Sequence, residues 1–325
     1  RAAMRLGFEP GTVVAPNDIK VWLISALKSH AICETDVLSV IEACHARARS
    51  QEQGRSFVQP GIVAERIVHS YEPGNPVLNN VDIDAPAGTV TLLAGASGGG
   101  KSTLSTILAG LVEPDSGTVS ICGERLSPGL CGMSFQRPEN QLFLNSAYDE
   151  IALAPRCARL SAADVDEAVR RAAQLVGLTD EQLEFYPYML SGGQRRRVAI
   201  ASVLSIGAKA YIFDEPTAGF DVQGRRDMHR LVRELADGGT PVVVVSHDLE
   251  EWLPVVDRVA LLSRGNMLWQ GSAAEVGQRF ELFEHAGIKA PENAVLAQML
   301  SDALQDEACG PALGAFGEGG EGNAR

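Results

Sequence analysis

The sequence predicts an α/β fold built on a mostly parallel sheet, and two observations carry that prediction. Apolar, β-rich segments of strand length (residues 88–94, 210–213 and 241–245) alternate with segments of helical period. Each of these strands ends in polar residues suited to chemistry. These are a glycine-rich loop holding Lys101, the pair Asp214-Glu215, and Ser246-His247-Asp248. Sites in such sheets form at the C-terminal ends of the strands.

The loop Gly95-Ala96-Ser97-Gly98-Gly99-Gly100-Lys101-Ser102-Thr103 reads G-x-x-x-x-G-K-[ST], the pattern of a phosphate-binding loop. Its glycines let the backbone curl with its N–H groups turned inward, which makes an anion nest. Lys101 reaches the β/γ-phosphates as a point charge, and the Ser102 hydroxyl is placed to ligate Mg²⁺. The helix predicted over residues 102–109 adds the positive end of its dipole. With a buried strand before the loop and a helix after it, the expected ligand is a nucleoside triphosphate. Asp214 is placed to hold Mg²⁺. Glu215 is placed to accept a hydrogen bond from the attacking water and act as general base.

Taken in order, residues 1–60 form an N-terminal extension with two short helices capped at Asn17-Asp18 and Thr35-Asp36, in which Trp22 reads as core packing. The polar segment 50–60 reads as a linker. Residues 62–71 read as an edge strand ending at Tyr71, before a turn at Pro73-Gly74-Asn75-Pro76. Residues 79–85 alternate like a second strand, and Pro86-Ala87-Gly88 turns the chain into the strand that feeds the loop. Further short strands follow at 118–122 and 132–136, the latter ending in Gln136. Residues 137–190 read as a helical insert, with helices at 146–154 and 162–176. Ser161 and Asp164 stand in capping-box spacing, with Asp in place of Glu. Leu190-Ser191-Gly192-Gly193-Gln194-Arg195-Arg196-Arg197 then leads into an apolar helix over 198–204.

Composition narrows the class. A chain of 325 residues with 45% hydrophobic and 21% charged residues buries a large core. Its net charge of −13 argues against a nucleic-acid partner. No apolar run reaches the length of a membrane span, so work at a membrane implies another subunit that crosses it. The six cysteines form no C-x-x-C pair and read as reduced thiols of a cytosolic protein. The chain opens on Arg1 without a signal-peptide pattern, which reads as an incomplete or processed N-terminus.

The phosphate loop, Gln136, Leu190-Ser191-Gly192-Gly193-Gln194, Asp214-Glu215, Asp221 and His247 stand in the order and spacing of ATP-binding-cassette (ABC) ATPases. Over residues 61–275 the chain resembles that family. The resemblance implies a phosphate-loop NTPase core with a mostly parallel sheet, an antiparallel β subdomain and a helical insert. It also implies roles residue by residue. Tyr71 resembles the aromatic that stacks on adenine, and Gln136 the glutamine that senses Mg²⁺ and water. Ser191 and Gly193 resemble the residues that contact the γ-phosphate held by the opposite subunit. Asp221 resembles the aspartate linking the two sites of the dimer, and His247 the histidine on the γ-phosphate. Phe220 departs from the pattern, which more often has leucine there; no loss of function is expected from it.

Residues 135–143 and Ala147-Tyr148-Asp149-Glu150-Ile151-Ala152 are similar to energy-coupling-factor importers and their cobalt/nickel relatives, and residues 283–300 resemble their small C-terminal extension. That extension spans 276–310, and a Gly/Glu-rich tail reading as disordered closes the chain at 311–325. The resemblance implies ATP and Mg²⁺ as ligands and a second cassette, identical or paralogous, as partner. It further implies a transmembrane coupling subunit, a membrane subunit that binds the vitamin or metal ion, and a place on the cytoplasmic face of the cell membrane. Pro138 would fix the backbone near Gln136. Phe143 or Leu144 either meets a helix of the transmembrane subunit or packs inside the insert. Rival readings are a cassette of another transporter class and a soluble cassette acting on ribosomes or DNA. Against the latter stand the single cassette and the short insert, where the DNA type carries a long coiled coil.

Overall fold

The structure, a computed structural model, describes residues 60–289. The helices expected before residue 60, most of the C-terminal extension and the tail lie outside these residues. Strands β1 (Ile62–Glu72) and β2 (Asn75–Ala85) form an antiparallel hairpin whose turn is Pro73-Gly74, so Asn75 and Pro76 already belong to the second strand. β3 (Val90–Ala94) runs into the glycine-rich loop and helix α1 (Lys101–Leu108). β4 (Ser116–Ile121) and β5 (Glu124–Arg125) complete a four-stranded sheet in the order β2-β1-β4-β5. β1 is therefore an interior strand and not the edge strand that its sequence suggested. Its second neighbour, β4, pairs with it antiparallel from a distant part of the sequence, Ile62 facing Ile121. Local pattern carries no trace of so distant a partner.

After β6 (Cys131–Ser134) comes the insert. It consists of a 3₁₀ turn at Pro138–Gln141, α2 (Ala147–Cys157), α3 (Ala162–Val176), α4 (Asp180–Glu184) and a 3₁₀ turn at Pro187–Met189. α3 buries Val165, Val169, Ala172, Ala173 and Val176, a single stripe at helical spacing. The Ser161 hydroxyl accepts from Asp164 N–H and donates to the Asp164 carboxylate, 2.7 Å away. The reciprocal bond of a true capping box, to the Ser161 N–H, is thus replaced by a side-chain bond, in keeping with aspartate's shorter reach. α2 runs past Pro155 to Cys157, beyond the end expected at residue 154. Pro155 has no N–H for the Ile151 carbonyl, and the buried Ser205 hydroxyl donates to that carbonyl instead, at 2.7 Å.

The chain then returns to the core as α5 (Gly192–Leu204), β7 (Ala210–Asp214), α6 (Val222–Asp237), β8 (Val242–Ser246), α7 (Leu249–Trp252), β9 (Arg258–Ser263) and β10 (Asn266–Ser272). A 3₁₀ turn at Ala273–Gln278 and α8 (Phe280–His285) follow. The main sheet has the order β10-β9-β3-β8-β7-β6, parallel except for β10. Alternation on its strands divides the core in two. Leu92, Val242, Val244, Tyr211 and Phe213 join the core of α2, α3, α5 and α6 on one face. Leu93, Val243, Val245 and Ile212 join α1 and the four-stranded sheet on the other. With both faces covered, each fully buried side chain of this size contributes about 1.5–3 kcal/mol. The sheet is thereby a rigid platform for whatever its strand ends carry.

Candidate functional site

β3, β8 and β7 lie side by side, and their C-terminal ends bring the predicted residues together. At the end of β3 the chain must pass close under β9: a Cβ on Gly95 would lie 2.2 Å from the Leu262 carbonyl oxygen. Gly100 has φ +97° and is the N-cap of α1, a conformation that L side chains rarely adopt. Helices α2 to α7 each begin on a Ser, Thr or Asp that caps their first turn. α1 has neither a side-chain cap nor an acidic residue in its first turn. Its first N–H groups therefore remain available to an external anion, which is the fit expected for a phosphate chain. Lys101 Nζ donates to the carbonyls of Gly95 and Ala96 at 2.8 and 2.9 Å, so it caps the loop's own oxygens. Burial pulls the Lys101 ammonium below the usual lysine range, against the upward pull of Glu215 and Asp214. A phosphate placed there would supply the anionic partner that burial makes valuable.

Ser102 Oγ donates to Asp214 Oδ2 at 3.4 Å. Burial, and then the charge of Glu215, push the Asp214 carboxyl above the ordinary carboxylate range, with Ser102 and Lys101 opposing. A hydroxyl and a buried carboxylate under that strain suit a hard divalent cation. Among the described residues no cluster of three or more His, Cys, Asp and Glu could hold a metal unaided. A cation here would therefore take its remaining ligands from nucleotide oxygens and water.

Glu215 follows with φ +46°, a left-handed conformation uncommon for a residue with a side chain. Its N–H donates to the Val245 carbonyl at 2.9 Å. Its carboxylate accepts from Ser246 Oγ at 3.1 Å and from the His247 N–H at 3.2 Å, and lies 2.6 Å from His247 Nδ1. The Glu215 side chain is 14% exposed, and that of His247 is 73% exposed. Ser102, Asp214, Glu215, Ser246 and His247 thus form one cluster at the strand ends.

The other predicted residues are distributed around it. Tyr71 is exposed and shares a hydrogen bond with Thr103 of the loop, Oη to Oγ1 3.3 Å. Its ring stands edge-on to buried His69 at 4.9 Å. Ser97 and Gly98 form the exposed tip of the loop, and Gly99 lies buried behind them. Gln136 is exposed just beyond β6, its carbonyl accepting from Arg196 Nη2 at 3.1 Å; its side chain is not bonded to Ser102 or Asp214. Ser191 and Gln194 form a full capping box at the start of α5, the two reciprocal bonds at 3.3 and 2.9 Å. Neither these two nor Gly193 is bonded to the phosphate loop of the same chain. Asp221 caps α6 by accepting from the Gly224 N–H at 2.7 Å.

Three contributors escaped the sequence reading. Ser246, one of the polar residues that end β8, has no role assigned by the sequence, and its hydroxyl donates to the Glu215 carboxylate. Thr217 donates to Glu251 at 3.0 Å, tying the turn after Glu215 to α7. Arg196 is buried and donates to the main-chain carbonyls of Gln136, Glu215 and Ala218. In the sequence nothing sets Arg196 apart from Arg195 and Arg197 on either side of it.

Residues 78–218 match the family model described as ABC transporter. The energy-coupling factor transporter ATP-binding protein EcfA2 of Symbiobacterium thermophilum is 37% identical over 254 residues, 74% of this chain and 88% of that protein. The protein of the same name from Clostridium perfringens is 34% identical over 254 residues, 74% of this chain and 89% of that one. Among solved structures, cbiO1 of Clostridium perfringens, part of the ABC transporter complex cbiONQ, superimposes with a TM-score of 0.63. It is 27% identical and covers 74% of this chain and 99% of its own. A bacterial ABC transporter cassette solved as a dimer gives a TM-score of 0.58 at 25% identity, over 65% of this chain and 98% of its own.

Proposed function

This chain belongs to the ABC transporter family, as the ATP-binding ATPase subunit of an energy-coupling-factor type transporter, and from that premise we propose how its residues divide the work. ATP lies on the loop from Gly95 to Thr103, with Tyr71 against the adenine and Lys101 on the β/γ-phosphates. Ser102, Gln136 and Asp214 would hold Mg²⁺, which would supply neutralisation of charge on the phosphates. Glu215 takes the proton of the attacking water, and His247 contacts the γ-phosphate while its ring stays beside Glu215. The observation that carries this reading is the meeting of an uncapped helix N-terminus and Lys101, after β3, with Asp214 and Glu215, at the end of β7 on the far side of β8.

The site is completed by a second cassette, identical or paralogous, whose Ser191, Gly193 and Gln194 close over the phosphates from the N-terminus of α5. Asp221 links the two sites. What supports this is that Ser191 and Gln194 satisfy each other in a capping box, and that neither they nor Gly193 is hydrogen-bonded to the loop of their own chain. Hydrolysis then drives a transmembrane coupling subunit and a membrane subunit that binds a vitamin or metal ion, with the cassettes on the cytoplasmic face. No helix among the described residues is long and apolar enough to cross a membrane. The docking face lies beside Gln136 to Phe143, where Phe143 is 67% exposed rather than packed inside the insert, and Met189 is 76% exposed.

The test is Lys101→Ala in the full chain. ATP affinity measured by titration falls, because the fixed charge on the phosphates is lost while the loop backbone remains. Unchanged affinity would place the nucleotide elsewhere.

A further inference from the structure

Arg196 lies on α5, five residues after Ser191, and is 7% exposed. Its hydrogen bonds go to main-chain carbonyls and not to a carboxylate. Nη2 donates to Gln136 O at 3.1 Å and to Glu215 O at 3.0 Å, and Nη1 donates to Ala218 O. Those carbonyls belong to two stretches: the segment leaving β6, and the turn that begins at the residue read as general base and leads to Asp221. Burial holds the guanidinium below the usual arginine range, with Glu139 offsetting part of the effect. Its carbon sits 5.2 Å from the centre of the Phe220 ring, at the position where the family pattern more often has leucine. Gly224 leaves room for that ring, since a Cβ there would come within 3.0 Å of Phe220 Cγ.

Glu215 needs such a restraint. Its φ of +46° costs energy and persists only where neighbours hold the backbone in place. Its carbonyl is held by two donors, Arg196 Nη2 and the Ala218 N–H at 3.2 Å. We propose that Arg196 is a positioning residue, whose planar fork ties α5 to the backbones of Gln136 and Glu215 and thereby sets the general base. The proposal rests on the reading of Glu215 as that base. An arginine fits this task because one rigid fork serves several acceptors at fixed angles, which a lysine ammonium cannot do. It also means that the helix carrying Ser191 and the carboxylate of the same chain's site are mechanically joined. A shift of α5 reaches Glu215 through one side chain.

The experiment compares full-length Arg196→Met and Arg196→Lys with the unmutated protein for kcat, ATP affinity and thermal midpoint, alone and in a Glu215→Gln background. A base displaced by a fraction of an ångström loses on the order of 10- to 100-fold in kcat, with ATP affinity held within about two-fold. In the Glu215→Gln background the same substitutions add almost nothing, because they act through a group already removed. The proposal is overturned by an unchanged kcat, by kcat, affinity and midpoint falling together, or by the full loss recurring in the Glu215→Gln background. Should Arg196→Met fail to fold, Arg196→Lys decides alone, and a wild-type kcat there overturns it. A fully active Glu215→Gln removes the base reading and this proposal with it. An inactive Glu215→Gln beside a fully active Arg196→Met removes this proposal only.

Discussion

Replacing Glu215 by Gln separates hydrolysis from binding, and the structure sets both magnitudes. The carboxylate accepts one bond from Ser246 Oγ at 3.1 Å and one from the His247 N–H at 3.2 Å, and the oxygen that takes the latter also lies 2.6 Å from the exposed His247 Nδ1. A glutamine keeps one oxygen for the His247 N–H and turns its NH₂ toward a hydroxyl that rotates to accept it. The fold therefore loses no more than about 1 kcal/mol. The chemistry loses far more, since an amide cannot take the proton of water. Removing a general base costs roughly 10²–10⁴ in rate, or about 3–5 kcal/mol of barrier. Phosphate release under saturating MgATP reads the second quantity, and thermal unfolding reads the first. Light scattering shows whether an ATP-bound dimer accumulates. A variant that hydrolyses ATP at the unmutated rate takes the base role from Glu215, and one that unfolds many degrees lower shows that the carboxylate was structural.

Three further substitutions probe other parts of the site. Gly193→Asp meets open space in its own chain, so stability should change by less than about 1 kcal/mol while a carboxylate is set against the partner's phosphates. ATPase activity is then lost with an unchanged melting curve, and a fully active variant excludes the composite site. Asp214 is a carboxyl whose pKa is raised in the folded state, so its ionisation opposes folding. The stability it contributes is present below the unfolded carboxylate range and is lost as pH rises through the folded pKa. Asp214→Asn should therefore raise the melting temperature of the nucleotide-free protein at neutral pH, with the gain shrinking as pH falls to that range, while MgATP hydrolysis disappears. Asn140→Lys, at an exposed position of the 3₁₀ turn, should leave the ATPase of the isolated chain intact and weaken its recovery with the membrane subunit in a detergent pull-down. Unchanged assembly excludes this segment as the docking surface.

The parts of this site that could be read in the sequence are those encoded by local rules. The phosphate loop is contiguous, so its glycines, Lys101 and Ser102 announce their geometry together. Asp214 and Glu215 were legible because a four-residue apolar run, 210–213, leads up to them. What escaped depends on distant segments meeting. The pairing of β1 with β4 made an interior strand of a segment that reads as an edge. The left-handed backbone of Glu215 follows from how the turn is held, and no residue type there signals it. Arg196 is recognisable only once Gln136, Glu215 and Ala218 have been folded around it. The signature Ser191-Gly192-Gly193-Gln194 was recognised by resemblance, while its capping box, an ordinary local motif, went unread.

The reading as a whole stands on a cassette that works at a membrane with partners, and one measurement addresses that directly. The full-length chain is purified in detergent from its native membrane, the co-purifying proteins are identified, and the complex is returned to liposomes to follow MgATP-driven uptake of vitamins and divalent metal ions. The expected result is recovery with a second cassette and a multi-spanning coupling subunit, and uptake that stops with Lys101→Ala or Glu215→Gln. A chain recovered without any integral membrane protein, hydrolysing ATP at full rate alone or bound to ribosomes, would contradict it.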